Sequence, residues 1–149
     1  MQHRQIGHIQ EGVVVDHIRS DMFYKAMKIL QIESKDPKIS MANRYESAKV
    51  GEKGFMKIEG IDISQEEFNL LSLIAPSCTI SWIRKGQVER KERVEIPGVV
   101  EGIVDCMHAS CISREPGVKS RLLYDETKDR FQCYYCRHYF DRGDLRIRI

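Results

Sequence analysis

Four of the five cysteines in this 149-residue chain stand in two short pairs, and these pairs constrain its fold more than any other feature. Four residues separate Cys106 from Cys111, two separate Cys133 from Cys136, and 21 lie between the pairs. Each spacing lets two sulfurs reach one ion, so the pattern is typical of a tetrahedral zinc site. Because four thiolates leave no coordination position for water, we predict one structural Zn²⁺ ion rather than a catalytic one.

Two other uses of clustered cysteines compete with a metal site. A disulfide framework would leave one cysteine over, because the count is odd. The first twelve residues lack the apolar stretch of a secretory signal, so we expect a cytoplasmic chain with reduced thiols. A redox pair at Cys133 and Cys136 would need a βαβ setting and would give Cys106 and Cys111 no role.

Three other residues bear on the ligand set. His108 and His138 each follow a cysteine by two positions and could replace a sulfur as ligand. A histidine that neighbours a metal site is more common than one that substitutes in it, so the four-cysteine set is preferred. Cys78, after Pro76, is expected to be a small buried apolar residue.

Composition narrows the classes of partner. The net charge is +2, and residues 101–149 carry 9 basic against 8 acidic side chains, so neither part is a strongly basic module. No run approaches the roughly 20 apolar residues that span a bilayer. We therefore expect neither nucleic acid nor a membrane among the partners.

The first hundred residues alternate between strand and helix patterns. The β-branched run "GVVVDHI" (12–18) predicts a strand, and Asp21 can then cap a helix over about 22–32. Ser64 and Glu67 form the capping box of a second helix. The further predictions are strands at 37–47 and 55–60, a turn at 48–54, and two strands within 78–96 around "RKGQ".

This order of elements predicts a ferredoxin-like βαββαβ sheet with one extra strand and both helices on one face. Pro97, Gly98 and Gly102 then break the pattern, so we place a domain boundary after residue 97. Residues 98–149 are too few to build a large apolar core, and chains of this size usually need a metal or disulfides to fold. The predicted class is α+β, with a ferredoxin-like domain over 1–97 and a small β-rich, zinc-ribbon-like domain over 98–149.

The sequence carries no catalytic pattern, neither a glycine-rich phosphate loop nor a nucleophile elbow, so we expect a protein that is not an enzyme. Lys57 is unusual in the middle of "FMKIEG", and Lys91 stands in the last strand of the first domain. Exposure on the open side of the sheet would explain both lysines. Two lysines with backbone donors could also hold phosphates.

Several stretches together resemble one known family. "GVVVDHI", "MKIEG", "LIAP", the strand with Lys91, "CMHASCIS" and "CYYC" occur in the order and at the spacing of the regulatory chain of aspartate carbamoyltransferase, over essentially all 149 residues. No single motif is specific, but the combination is. The resemblance implies a non-catalytic regulatory subunit of pyrimidine biosynthesis. Its first domain would pair into homodimers and bind nucleoside triphosphates (CTP, ATP and, as a third candidate, UTP), and its zinc domain would dock on the catalytic chain.

The resemblance also assigns site residues, position by position. Asp16, Lys57 and Lys91 match nucleotide contacts, and the lysines would meet triphosphate and ribose oxygens; Lys53 is a second candidate for phosphate. The base and sugar pocket would be lined by Ile9, Val14, His17, Ile83 and Val88. The zinc ligands match Cys106, Cys111, Cys133 and Cys136.

This chain departs from the family's pattern near both predicted sites. Ser81 stands where other members have Asn in the base pocket, and Gly86 where they have a nearby Tyr. Both changes shorten side chains that would contact the nucleotide. His108 and Ser110 replace the usual Asn residues between the first two zinc cysteines, in the loop that would meet the catalytic chain.

A zinc-ribbon nucleic-acid-binding protein is the alternative, because RNA-recognition modules share the ferredoxin-like order of elements. Such modules stack bases on exposed aromatic side chains of the sheet. Their aromatic sequence motif is absent here, and on the better-defined strands only Phe55 and Trp82 could serve as platforms.

Overall fold

The computed structural model describes residues 9–47 and 51–147, which form two compact units that divide between Glu95 and Ile96. The boundary expected from the sequence lies two residues later. The first unit contains strands β1 (Gly12–Arg19), β2 (Ile39–Ser47), β3 (Gly51–Glu59), β4 (Thr79–Arg84) and β5 (Gln87–Arg93), and helices α1 (Phe23–Ile29), α2 (Ile32–Lys35) and α3 (Gln65–Ile74).

The five strands of the first unit form one antiparallel sheet in the order β2-β3-β1-β4-β5. β1 lies at the centre of the sheet, with two strands on each side, because its apolar run can be buried there. The sheet and the order of its elements confirm the predicted α+β, ferredoxin-like class, and β5 is the extra strand. No helix within 9–47 and 51–147 combines the length and apolar character that a bilayer crossing needs.

The two faces of this sheet differ in what covers them. Side chains that alternate along the strands are fully buried on one face, namely those of Val13, Val15, Met56, Ile58 and Ile80. Gly54 lies on the same face, where a Cβ atom would overlap the Phe23 ring of α1, so the helices pack here. The opposite face, which we call the open face, carries Val14, Lys57 and Ser81, each half-buried.

The predicted helix over 22–32 is shorter and interrupted. A 3-10 turn over Ser20–Met22 precedes α1, and Gln31 adopts a left-handed conformation (φ 57°) between α1 and α2. The expected cap at Asp21 is wrong, because Asp21 lies inside the 3-10 turn and its carboxylate accepts a hydrogen bond from Arg19 at 2.8 Å. The N-cap of α1 is Met22, which makes no side-chain cap.

β3 begins at Gly51 rather than at residue 55. Its polar first half pairs with both neighbours, since Lys53 lies opposite Arg19 of β1 and opposite Tyr45 of β2. Backbone pairing with β1 and β2 holds this segment as a strand, although its side chains are typical of a turn. Of that predicted turn, residues 48–50 lie outside the described residues and residues 51–54 belong to β3.

The predicted capping box at the start of α3 is confirmed, and its glutamate also binds residues of the α2 region. Ser64 Oγ accepts a hydrogen bond from the Glu67 N–H (3.1 Å), and Glu67 Oε1 accepts one from the Ser64 N–H (3.0 Å). Glu67 Oε2 also accepts hydrogen bonds from Lys35 Nζ (2.9 Å) and Gln31 Nε2 (3.1 Å). Glu67 is only 5% exposed, so this carboxylate joins α3 to the α2 region from a buried position.

The second unit is a four-stranded antiparallel sheet in the order β6-β7-β8-β9, with strands β6 (Val99–Glu101), β7 (Arg121–Asp125), β8 (Arg130–Cys133) and β9 (Tyr139–Asp141). Its small apolar core consists of Val100, Val104, Leu122 and Phe131 beside buried cysteines. The β-rich prediction is confirmed. β6 lies inside the segment 95–102 that the sequence indicates only as a break, because the register with β7 decides its conformation.

Glu67→Ala is expected to lower the free energy of unfolding of the first unit by about 1–3 kcal/mol, because the Ser64 N–H loses its acceptor in the capping box and Lys35 loses its partner. Glu67→Gln keeps an acceptor for the Ser64 N–H and should cost less. Glu66→Ala, in the same turn but exposed, is the matched control. Trp82 is the sole tryptophan, so urea unfolding followed by its fluorescence reports this unit.

The effect of Glu67→Gln should also depend on pH. Burial opposes the charged form of Glu67, but hydrogen bonds from Ser64 and Lys35 outweigh it and lower the pKa of this carboxyl. Its contribution is therefore present above the unfolded pKa of about 4.3 and is lost as the pH falls through the folded value. A stability difference from Glu67→Gln that stays constant into acid would contradict the charged pair.

Candidate functional site

The four paired cysteines come together in the second unit, and we call them the cysteine cluster. Cys106 and Cys111 lie in the loop before a 3-10 turn over Ile112–Arg114, Cys133 ends β8, and Cys136 lies in the turn before β9. Their sulfur atoms all lie within 4.8 Å of one another. Three of the four side chains are buried, and Cys136 is partly exposed.

The sulfur separations fit a metal and not disulfides. Sγ of Cys106 lies 3.6 Å from Sγ of Cys136, and Sγ of Cys111 lies 3.6 Å from Sγ of Cys133. Four sulfurs around one Zn²⁺ at about 2.3 Å define a tetrahedron with edges of about 3.8 Å. A disulfide needs a sulfur separation of about 2.05 Å. The cluster can therefore hold one zinc ion with four sulfurs and with no position left for a reacting water.

Backbone N–H and hydroxyl groups lie close to two of the cluster sulfurs, although burial raises the pKa of Cys106 and of Cys136. The His108 N–H lies 3.4 Å from Cys106 Sγ, the Ser113 N–H lies 3.4 Å from Cys111 Sγ, and Ser113 Oγ lies 3.0 Å from Cys111 Sγ. Burial opposes ionisation of Cys111, but the Ser113 contacts and the neighbouring thiols lower its pKa to about 7. Ser113 contacts the candidate metal site, and sequence patterns did not indicate it.

Cys78 shows the opposite behaviour. It is fully buried in the first unit, and this burial raises the pKa of its thiol to about 12. A thiol held in its neutral form is neither a ready metal ligand nor a nucleophile. Cys78 is the small apolar core residue that its position after Pro76 suggests.

On the open face of the first unit, four predicted nucleotide contacts lie in one line across the sheet. Val14 pairs with Lys57 on one side and with Ser81 on the other, and Ser81 pairs with Lys91. We call Lys57, Val14, Ser81 and Lys91 the central row. Because it crosses four strands about 4.8 Å apart, its two lysines stand about 14 Å apart at the backbone.

Apolar candidates lie beside one half of the central row. Ile83 of β4 is paired with Val88 of β5, and Ile83 lies two residues along β4 from Ser81. The Gly86 N–H donates to the Gln10 carbonyl at 3.0 Å, so the segment before β1 is bound to the β4–β5 turn. Ile9 lies in that segment and is buried.

Asp16 organises a polar cluster on the other side of the central row. Its Oδ1 accepts hydrogen bonds from the Tyr45 hydroxyl (3.1 Å) and the His17 N–H (2.7 Å) and lies 3.8 Å from Lys53 Nζ. Lys53 is only 8% exposed and also stands over the Tyr45 ring. His17 has a positive φ (62°) at an irregularity of β1, and its ring Nδ1 lies 3.4 Å from Thr79 Oγ1.

Tyr45 was not found from the sequence, because the polar end of β2 shows no alternation that would indicate an inward side chain. Burial, followed by the nearby Asp16 carboxylate, raises the pKa of Tyr45 to about 12, so its hydroxyl stays a donor. Ser40, near the start of β2, was also missed. It lies opposite Lys57 and extends the central row to β2.

The aromatic platforms of the nucleic-acid alternative do not share a face. Trp82 lies opposite Val13 on the helix-covered face, where its Nε1 donates to Asp62 Oδ1 at 2.8 Å. The Arg90 guanidinium lies 3.9 Å from its ring centroid. Phe55 lies on the open face, edge-on to Tyr45. The two rings therefore cannot stack bases on one surface.

Comparison with known families identifies both units. Residues 4–95 match the family model described as the allosteric domain of the aspartate carbamoyltransferase regulatory chain. Residues 98–146 match the model described as the metal binding domain of the same chain. The cysteine cluster lies within the second match and the central row within the first.

Individual relatives agree along nearly the whole chain. The aspartate carbamoyltransferase regulatory chain of Archaeoglobus fulgidus is 40% identical over 136 residues, which cover 88% of this chain and 89% of the relative. That of Korarchaeum cryptofilum is 38% identical over 141 residues, covering 92% and 90%. That of Haloarcula marismortui is 39% identical over 137 residues, covering 91% and 87%.

Cys133→Ser is expected to abolish tight binding of zinc and to unfold the second unit, because metal binding supplies much of the folding free energy of so small a core. The urea transition of Trp82 fluorescence should change by less than about 0.5 kcal/mol, since it reports the other unit. Zinc content per chain and far-ultraviolet circular dichroism measure the two effects.

Cys78→Ala is the matched control for Cys133→Ser, because it removes a buried thiol outside the cysteine cluster. This variant should keep one zinc per chain and lose stability only in the Trp82 transition. Retention of a full zinc equivalent by Cys133→Ser would contradict the four-sulfur site.

Proposed function

Because the chain belongs to the family of aspartate carbamoyltransferase regulatory chains and is a regulatory subunit, we propose that its open face binds nucleoside triphosphates. The observation that supports this most directly is the central row, which sets Lys57 and Lys91 on both sides of a half-buried apolar and hydroxyl surface. The chain itself is non-catalytic, and the reaction that it controls takes place on a separate catalytic chain.

The central row suits the two chemically different parts of a nucleotide. The ammonium groups of Lys57 and Lys91 meet phosphate and ribose oxygens, as charge-assisted donors do elsewhere. Ile83 and Val88 offer apolar contact to the base, and Ser81 adds one short donor and acceptor beside them. The proposed ligands are CTP, ATP and UTP. Ser81 and Gly86 leave more room around the base than longer side chains would.

Asp16 gives the nucleotide a fixed acceptor. Its contacts with Tyr45, His17 and Lys53 hold the carboxylate in one position, so that it can accept a hydrogen bond from a ribose hydroxyl or a base amino group. Lys53 contributes mainly positive potential, because its ammonium already faces Asp16. Val14 and the buried Ile9 complete the apolar lining.

The zinc unit acts as the docking module for the catalytic chain in this proposal. The cysteine cluster is closed, so the ion stabilises the loop that contains Met107–Ser110 and performs no chemistry there. Ala109 and Ser110 at the tip of this loop are exposed and available for contact. A surface that forms only when the ion binds makes assembly depend on zinc.

Nucleotide binding then acts by shifting a conformational equilibrium of the assembled enzyme. The shift is limited by the difference in affinity of the nucleotide for the two states, typically about 1–3 kcal/mol. Two regulatory chains pair through their first units, as we propose, and the assembly works in the cytoplasm. Feedback on pyrimidine synthesis follows from the identity of the ligand and needs no active site on this chain.

Lys57→Ala and Lys91→Ala are each expected to weaken nucleotide binding by about tenfold to a hundredfold, because each removes a hydrogen bond to a charged group. Isothermal titration of the full chain with CTP and with ATP measures the loss. Lys25→Ala is the matched control, since Lys25 is an exposed lysine of α1, outside the open face. Unchanged affinity in both variants, with normal unfolding, would exclude the central row as the nucleotide site.

Removal of zinc is expected to separate this chain from its catalytic partner. A complex treated first with a thiol-reactive mercurial and then with a chelator should release catalytic chains, and added Zn²⁺ with reductant should restore the assembly. Size-exclusion chromatography with mass measurement follows both steps. An assembly that survives with no zinc bound would show that the docking surface does not depend on the ion.

A further inference from the structure

Two histidines lie against the cysteine cluster without belonging to it. The rings of His108 and His138 stack with centroids 3.9 Å apart and an angle of 21° between their planes. Ligand atoms of His108, Cys136 and His138 lie within 4.8 Å of one another. One thiol and two imidazoles are together a donor set that suits borderline divalent metals.

The backbone groups of the two histidines make equivalent hydrogen bonds to the cluster cysteines. Each follows a cluster cysteine by two residues, and its N–H bonds to the sulfur of that cysteine, His108 to Cys106 and His138 to Cys136. Each carbonyl accepts a hydrogen bond from the other cysteine of its pair, Cys111 at 3.1 Å and Cys133 at 3.0 Å. The folding that closes the cysteine cluster therefore also brings the two rings together.

This arrangement leaves one nitrogen in need of a partner. His108 Nδ1 is shielded from solvent and has no hydrogen-bond partner among the residues that the structure describes. Buried polar atoms are normally paired, so this nitrogen requires a partner from outside the described residues, and an ion is one such partner. His138 is exposed and Cys136 is the least buried cysteine of the cluster, so an ion can reach this side from water.

Charge also favours a second cation here. Four thiolates with one Zn²⁺ carry a net charge of −2, and this excess lies on the sulfurs. Among them, Cys136 Sγ is the one that borders the histidine pair. A thiolate sulfur has further lone pairs and can bridge two metal ions.

We propose that His108, His138 and the shared sulfur of Cys136 bind a second divalent cation of the Zn²⁺ or Co²⁺ class. The site is open to water, so it binds more weakly and exchanges faster than the closed cluster beside it. Binding requires the exposed His138 ring to turn from its stacked position, so that both imidazoles direct a nitrogen at the ion. The proposal rests on the zinc cluster, because the bridging sulfur belongs to it.

Cobalt titration of the reduced, metal-free full chain tests this site. In the wild type the first equivalent should give the intense sulfur-to-cobalt absorption of the four-cysteine site. A second, weaker equivalent should add its own visible bands, and calorimetry should count two ions per chain. His108→Asn and His138→Asn should each keep the first equivalent and weaken the second by at least about tenfold.

His17→Asn is the matched control, because it removes a histidine of the first unit, and it should bind both equivalents normally. The intact first equivalent shows that each variant has folded around its cluster. A wild type that binds one ion only, or a second equivalent that persists in both histidine variants, would overturn the second site and leave the zinc cluster standing. Absence of the first equivalent in the wild type would overturn the cluster itself and this site with it.

Discussion

The convergence of four sulfurs is the interaction on which the second unit depends. The unit has few buried apolar side chains, chiefly Val100, Val104, Leu122 and Phe131, and so small a core does not usually stabilise a fold alone. The cysteine cluster joins an early loop, the end of β8 and the turn after it into one structure. Any surface that this unit offers to another chain therefore depends on the same ion.

In the first unit, one face of the sheet carries charged side chains, and apolar packing on the other face stabilises it. The helices cover one face, where alternating apolar side chains are fully buried, and the open face carries polar groups. Lys57 and Lys91 can stand on β3 and β5 because Val13, Val15 and Ile80 supply the packing from the other side. The contact between the buried Lys53 and the partly exposed Asp16 balances one charge and holds Asp16 in place.

Particular residues show where sequence reasoning succeeded and where it failed. The capping box of Ser64 and Glu67 was predicted correctly because both partners lie within one turn. The cap at Asp21 failed because a neighbouring arginine offered its carboxylate another partner. The first half of β3 and the whole of β6 were missed because pairing with distant strands, rather than side-chain pattern, made them strands.

The sequence by itself determined the chemistry of the metal site and the order of the elements. Cysteine spacing and side-chain periodicity are local properties, so they can be read without knowing which segments meet. Only the tertiary structure decided which side chains are neighbours. The register of four strands aligned Lys57 with Lys91, a bulge brought Asp16 to Tyr45, and closure of the cysteine cluster stacked His108 on His138. The members of these pairs lie 29 or more positions apart in the sequence, and their geometry depends on packing that no local pattern encodes.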